Sequence, residues 1–184
     1  LRWPVETVVE FGVGTSLGIG FCALLAGAER YSGFDALAHL DILAQAGLLT
    51  ELRELFLDRA PAMNDAGAKA FDFPRHIISN EAVKSGCSRT DYMDRITYVA
   101  PYDADCAKRF ASSADLIMST ATLEHVDDME GGYKLFHAMT KPGGFQSHSI
   151  DFKSHGFGKA HNGKRLWNDH WLMTEAEWAM QTKD

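Results

Sequence analysis

Short apolar runs alternate with stretches whose apolar residues recur at helical spacing. Thr7 to Phe11 is β-branched and apolar, and reads as a strand; Leu17 to Ala26 is small and apolar, and reads as a buried helix. Arg30 to Phe34 predicts a second strand that ends at Asp35. Leu37 to Ala46 and Leu48 to Asp58 both carry helical spacing. From Arg59 to Asp94 the pattern is mixed, with Pro61, Gly67, Pro74 and Gly86 as breaks, and predicts an excursion of short helices. Strands follow at Ile96 to Val99, Asp115 to Ser119 and Phe145 to Ile150. Between the last two come a helix over Asp128 to Thr140, with Met129, Tyr133, Phe136 and Met139 on one side, and a turn at Lys141 to Gly144. Phe152 to Trp171 is a polar loop rich in His and Gly, and Thr174 with Glu177 forms a capping-box pattern that opens a final helix. Strands alternating with helices predict an α/β fold: a mostly parallel, doubly wound sheet of about five strands with helices on both faces.

The 184 residues suit one domain, 1–184, with a helical insertion at about 37–94. Lys and Arg total 18 against 25 Asp and Glu, a net charge of -7. That balance provides no electrostatic footprint for nucleic acid or anionic lipid, so neither is expected as a partner. Cys22, Cys87 and Cys106 are odd in number and contain no C-x-x-C pair, which favours a reducing, cytoplasmic setting. No apolar stretch is long enough to span a membrane.

The chemistry-bearing pattern begins at the first strand. In VVEFGVGTSLGIG, Gly12, Gly14 and Gly18 follow the strand directly and lead into a helix. Gly allows the tight reversal, and the missing side chains let a ligand approach the backbone. Glu10, two residues before Gly12, argues against a dinucleotide, because a carboxylate repels the incoming pyrophosphate. It suits a ligand with a positive group, such as the α-ammonium and sulfonium of S-adenosyl-L-methionine. Asp35 stands roughly twenty residues further on, the spacing of a ribose-binding carboxylate, and this role is compatible with capping the helix expected at Leu37.

With VVEFGVG, YSGFD, APYDAD, ADLIMSTATLEHVDD and KPGGFQSHSID in this order, the chain resembles the class I S-adenosylmethionine-dependent methyltransferases from Val8 to about Asp151. The resemblance implies a Rossmann-like sheet and a transferase that moves the methyl group of S-adenosyl-L-methionine to a small-molecule acceptor at O, N or C. It implies cofactor contacts at Glu10, Phe11, Gly12, Gly14, Asp35 and Ala36, at Asp103 and Ala104 around the adenine, and at Ser119 and Thr120 near the methionine part. The family sheet has seven strands and helices ahead of the first. Only five strands are legible, so the resemblance implies a chain shortened at both ends, with the fifth strand an exposed edge open to pairing with a second copy. A nicotinamide-dependent reductase and a non-catalytic domain on the same fold are the alternatives.

Reactive groups in an open α/β sheet gather at the carboxyl ends of the strands. The candidate general bases there are His125, after the fourth strand, and Asp151 and His155, at or past the end of the fifth. His148 lies three positions before Asp151, so in a strand the two face opposite ways. His148, Asp151 and His155 lack tight ligand spacing, and no metal is expected.

Overall fold

A computed structural model describes residues 3–59, 79–103, 105–153 and 174–177. The chain forms two compact units, Leu1–Ser149 and Ile150–Asp184. In the second unit Thr174 and Glu177 close the capping box: the Thr174 amide donates to Glu177 Oε2 at 2.9 Å, and Thr174 Oγ1 accepts from the Glu177 amide at 3.3 Å.

In the first unit five strands make one sheet: β1 (Thr7–Phe11), β2 (Arg30–Phe34), β3 (Ile96–Val99), β4 (Ala114–Thr120) and β5 (Thr140–Ser149). The order is β3-β2-β1-β4-β5 and every neighbouring pair is parallel. Helices α1 (Gly18–Leu25), α2 (Ala46–Arg59), α3 (Asn80–Cys87), α4 (Cys106–Arg109) and α5 (Met129–Met139) complete the unit. This is the doubly wound parallel α/β architecture that the alternation of strands and helices predicts.

The strand registers divide the core into two layers. Val8, Tyr31, Leu116 and Ile96 are in register across the sheet, and with Phe21, Leu24, Leu25, Phe56 and Val83 from α1, α2 and α3 they form one layer. On the opposite pleat the aromatic rings meet: Phe11 stacks on Phe34 at 5.1 Å and lies 4.6 Å from Phe136 of α5, and Phe34 meets Phe110, just past α4, edge-on at 4.9 Å. Because β1 is covered on both sides, Val8 and Val9 are both fully buried, which is why apolar residues occupy successive positions there.

Two expectations change. No helix runs through Leu37 to Ala46. Asp41 Oδ1 accepts from the Leu43 and Ala44 amides at 3.0 and 3.3 Å, so a short helical turn over Leu43–Gln45 starts there and leads into α2. Leu37 and Leu43 are exposed while Leu40 and Ile42 pack against the core, so the apolar spacing does not mark one buried helix face. Lys141 to Gly144 is not a turn before the fifth strand but an irregularity inside it. Thr140 pairs with Ala114 and Phe145 with Leu116, so the intervening residues bulge out of the ladder, with Gly143 at φ 80°. Lys141 Nζ anchors the bulge to Asp115 at 3.0 Å and Glu6 at 2.8 Å. The described part of the 59–94 excursion beyond α2, 79–94, includes α3, whose first turn is capped by Ser79 Oγ accepting from the Ala82 amide at 3.2 Å; residues 60–78 lie outside the description.

Candidate active site

In the order β3-β2-β1-β4-β5 the chain direction of winding reverses between β1 and β4, and the crevice beyond their carboxyl ends is where such sheets take ligands. A cavity of about 360 Å³ opens there. The residues after β1 and β2 supply one wall: Phe11, Gly12, Gly14, Asp35, Ala36 and His39, with Tyr102 from beyond β3. The segment after β4 supplies the other, with Thr122, Leu123, His125 and Val126, and Gly132 and Phe136 of α5 join it.

The glycine turn is shaped by two close approaches. Gly12 has φ 79°, and a Cβ there would lie 2.0 Å from Thr122 Oγ1, so only glycine lets the β4 loop close over the end of β1. Gly14, at φ 64°, would place a Cβ with nothing within 4 Å. The turn is therefore tight against the protein at Gly12 and open at Gly14.

Asp35 is fixed by the backbone on both sides. Its N–H donates to Val99 O and its carbonyl accepts from the Tyr102 N–H, both at 3.0 Å. Its carboxylate reaches back to the glycine turn, where Oδ2 accepts from the Gly14 N–H at 2.7 Å. A negative charge thus stands at the opening in the turn.

Glu10 does not line this cavity. It is buried, with its carboxyl accepting from the Tyr31 hydroxyl in a short hydrogen bond. Burial, opposed by that hydrogen bond and reinforced by the nearby Asp35 charge, pushes its pKa up to about 7. Burial and the Glu10 carboxylate together hold the Tyr31 phenol well above its ordinary value.

The other residues singled out in the sequence divide as follows. His125 lines the cavity, from a short helical turn over Leu123–His125. Ser119 is buried, its hydroxyl 2.8 Å from His148 Nδ1, and the His148 ring stacks on Phe136 at 5.1 Å. Burial holds the His148 pKa below its usual value. Thr120 is exposed, and its carbonyl accepts from Thr122 Oγ1 at 3.0 Å. Asp103 is not in the cavity lining: its carboxylate accepts from the Cys106 N–H at 3.1 Å and lies 3.2 Å from Arg109. Ala104 and His155 lie outside the described residues. Asp151 belongs to the second unit, where its Oδ1 accepts from the Lys153 N–H at 2.9 Å. Among the described residues, no group of three His, Cys, Asp or Glu is placed to hold a metal ion.

The sequence reading missed Tyr102, Thr122, Leu123, Val126, Gly132, Phe136 and His39 as lining residues. Tyr102 adjoins the singled-out Asp103, and Thr122 to Val126 flank His125, so the right loops were visible but not which side chains they turn inward. Phe136 carried a signal of its own, as one of the apolar positions of α5.

No protein-family model matches the chain, and no curated protein matches it. Among solved structures it is similar to one described as "a putative s-adenosyl-l-methionine-dependent methyltransferase" from Methanococcus maripaludis, with 16% identity and a TM-score of 0.40 over 98% of this chain. The chain spans 57% of the length of that protein.

Proposed function

We propose that this chain is the cofactor-binding part of an S-adenosyl-L-methionine-dependent methyltransferase acting on a small-molecule acceptor. One observation carries the reading: the Asp35 carboxylate stands 2.7 Å from the Gly14 amide, inside the crevice at the carboxyl ends of β1 and β2. A carboxylate at the end of the second strand accepts hydrogen bonds from the two hydroxyls of a ribose. This carboxylate already takes the Gly14 amide, so the turn offers one backbone donor fewer to a pyrophosphate. The arrangement favours a nucleoside without phosphates.

The residues present fit that cofactor. Gly14 leaves room for close approach to the backbone. Phe11, Tyr102 and Phe136 offer apolar surface to a flat base and keep water from it. When bound, S-adenosyl-L-methionine supplies a methyl carbon activated by its sulfonium for in-line displacement. The protein's share is to bind, orient and exclude water, and, for an acceptor that must lose a proton, to provide a base. Within the described residues His125 is the candidate for that role, since it lies in the lining on the wall opposite Asp35; Asp151 and His155 remain candidates from the sequence. Three cysteines outside any disulfide support a reducing, cytoplasmic setting, and among the described residues no helix is long and apolar enough to cross a membrane.

The test is calorimetric titration with S-adenosylhomocysteine, with NAD in parallel, on the parent chain and on Asp35→Ala. Two charge-assisted hydrogen bonds at about 1.5 kcal/mol each make the expected loss on Asp35→Ala about 3 kcal/mol, or roughly 100-fold in Kd. Binding of NAD in place of S-adenosylhomocysteine, or undiminished affinity in Asp35→Ala, removes the reading.

A further inference from the structure

The cavity lining stops at Gly14, although the turn continues through Thr15, Ser16 and Leu17 before α1 begins. A buried side chain from a distant segment closes that stretch. Gln45 Oε1 accepts from the Leu17 N–H at 3.2 Å, and Gln45 Nε2 donates to the Thr15 carbonyl at 3.3 Å and to the Asp41 carbonyl at 3.1 Å. Beside it, Ser16 Oγ accepts from the Gly18 N–H at 3.1 Å. The amides that begin α1 are those a diphosphate would need, because the opening turn of a helix leaves its N–H groups without partners in the helix. Here the Leu17 and Gly18 amides are taken by side chains, and the Gly14 amide by Asp35.

From this we infer that Gln45 is a specificity-determining residue, a latch that takes the Leu17 amide out of the cradle so that the site favours a nucleoside over its phosphorylated forms. The inference rests on the proposed nucleoside site and assigns its selectivity. Gln45 acts through the turn, so it is a positioning residue. Both ends of its amide are needed: the oxygen occupies the Leu17 amide, and the nitrogen ties the Thr15 carbonyl to the Asp41 carbonyl and so fixes where the oxygen sits. Asp35 alone cannot give this selectivity along the whole turn, because its carboxylate reaches only as far as Gly14.

The matched probes are adenosine and ADP, which differ only in the diphosphate. The parent chain is expected to prefer adenosine by at least tenfold. Gln45→Met keeps the length and most of the volume of the side chain but lacks the accepting oxygen, and it is expected to narrow that preference at least tenfold, chiefly by tighter ADP binding. Gln45→Glu keeps an acceptor for the Leu17 amide and adds a charge, and it is expected to keep the original preference or widen it. Amide hydrogen exchange supplies a second readout: the Leu17 N–H exchanges faster in Gln45→Met than in Gln45→Glu. Equal adenosine and ADP affinities in the starting chain, or an unchanged ratio in a folded Gln45→Met, overturn the latch while the nucleoside site stands. Failure to bind either adenosine or S-adenosylhomocysteine removes the proposed function, and the latch with it.

Discussion

Gly12→Ala puts the site's construction to a quantitative test, because the structure separates two costs. The first is conformational: at φ 79° an alanine is held in the left-handed region, at about 1–2 kcal/mol. The second is steric: the new Cβ would stand 2.0 Å from Thr122 Oγ1 and 2.5 Å from its Cγ2, so Thr122 must leave. Its hydroxyl donates to the Thr120 carbonyl at 3.0 Å and to the Phe11 carbonyl at 3.3 Å, and losing this shared hydrogen bonding costs about 1–2 kcal/mol. The sum is about 2–4 kcal/mol, which for a chain of this size lowers the thermal midpoint by roughly 5–15 °C. Gly14→Ala is the internal control. It has a similar φ, 64°, with nothing within 4 Å of the new Cβ, so it pays the first cost alone. Urea denaturation of both variants isolates the difference, expected at about 1–2 kcal/mol. In a Thr122→Gly background the difference should largely vanish. Equal destabilisation by the two glycine substitutions would refute the claim that Thr122 closes over Gly12.

Glu10 gives a pH signature: with its folded pKa raised from 4.5 to about 7, the unfolded chain binds fewer protons between those values, so stability is full below pH 4.5 and falls as pH rises to about 7. Glu10→Gln should flatten the thermal midpoint across that window, and parallel profiles for the two proteins would contradict the assignment. Gly86→Ala should cost about 3 kcal/mol or more, because its Cβ would meet the Leu25 carbonyl oxygen at 2.2 Å, a backbone atom that cannot step aside; a urea midpoint near that of the parent refutes this. His125→Ala should slow methyl transfer with little change in S-adenosylhomocysteine affinity, and an equal loss in both measurements would move His125 from the acceptor side to the cofactor side.

The strands were legible because local chemistry marks their ends. Arg30–Phe34 stops at an aspartate and Ile96–Val99 runs into Pro101, and both spans match the structure. The segment from Leu37 failed because its apolar spacing competed with one side chain: Asp41 captures two amides and sets the helical start there. At the site, Gly12, Gly14 and Asp35 were visible because each answers to a backbone demand or a fixed spacing. Glu10 was read as facing a cationic ligand, yet in the structure its carboxyl meets Tyr31. Alternation along β1 places Glu10 on the same pleat as Val8, but only the register with β2 shows that Gly33 is its cross-strand partner and that Tyr31 reaches it. Gln45 was invisible for the same reason: its partners are at Thr15 and Leu17, and no local pattern joins them.

Tyr31 lies against two glycines. A Cβ at Gly20 would meet its ring at 2.7 Å, and one at Gly33 would lie 2.6 Å from Val13 Cγ2 and 3.2 Å from the Tyr31 hydroxyl, while that hydroxyl serves Glu10. Positions 13, 20, 31 and 33 therefore trade volume as one unit, and position 10 is tied to it through the Tyr31 hydroxyl. Enlarging residue 20 requires residue 31 to shrink, enlarging residue 33 requires Val13 to give way as well, and a shrunken residue 31 leaves the Glu10 carboxyl without its donor. Among related chains these five positions should change together or not at all, and a relative with alanine at position 20 should carry a smaller side chain at 31 and a neutral one at 10.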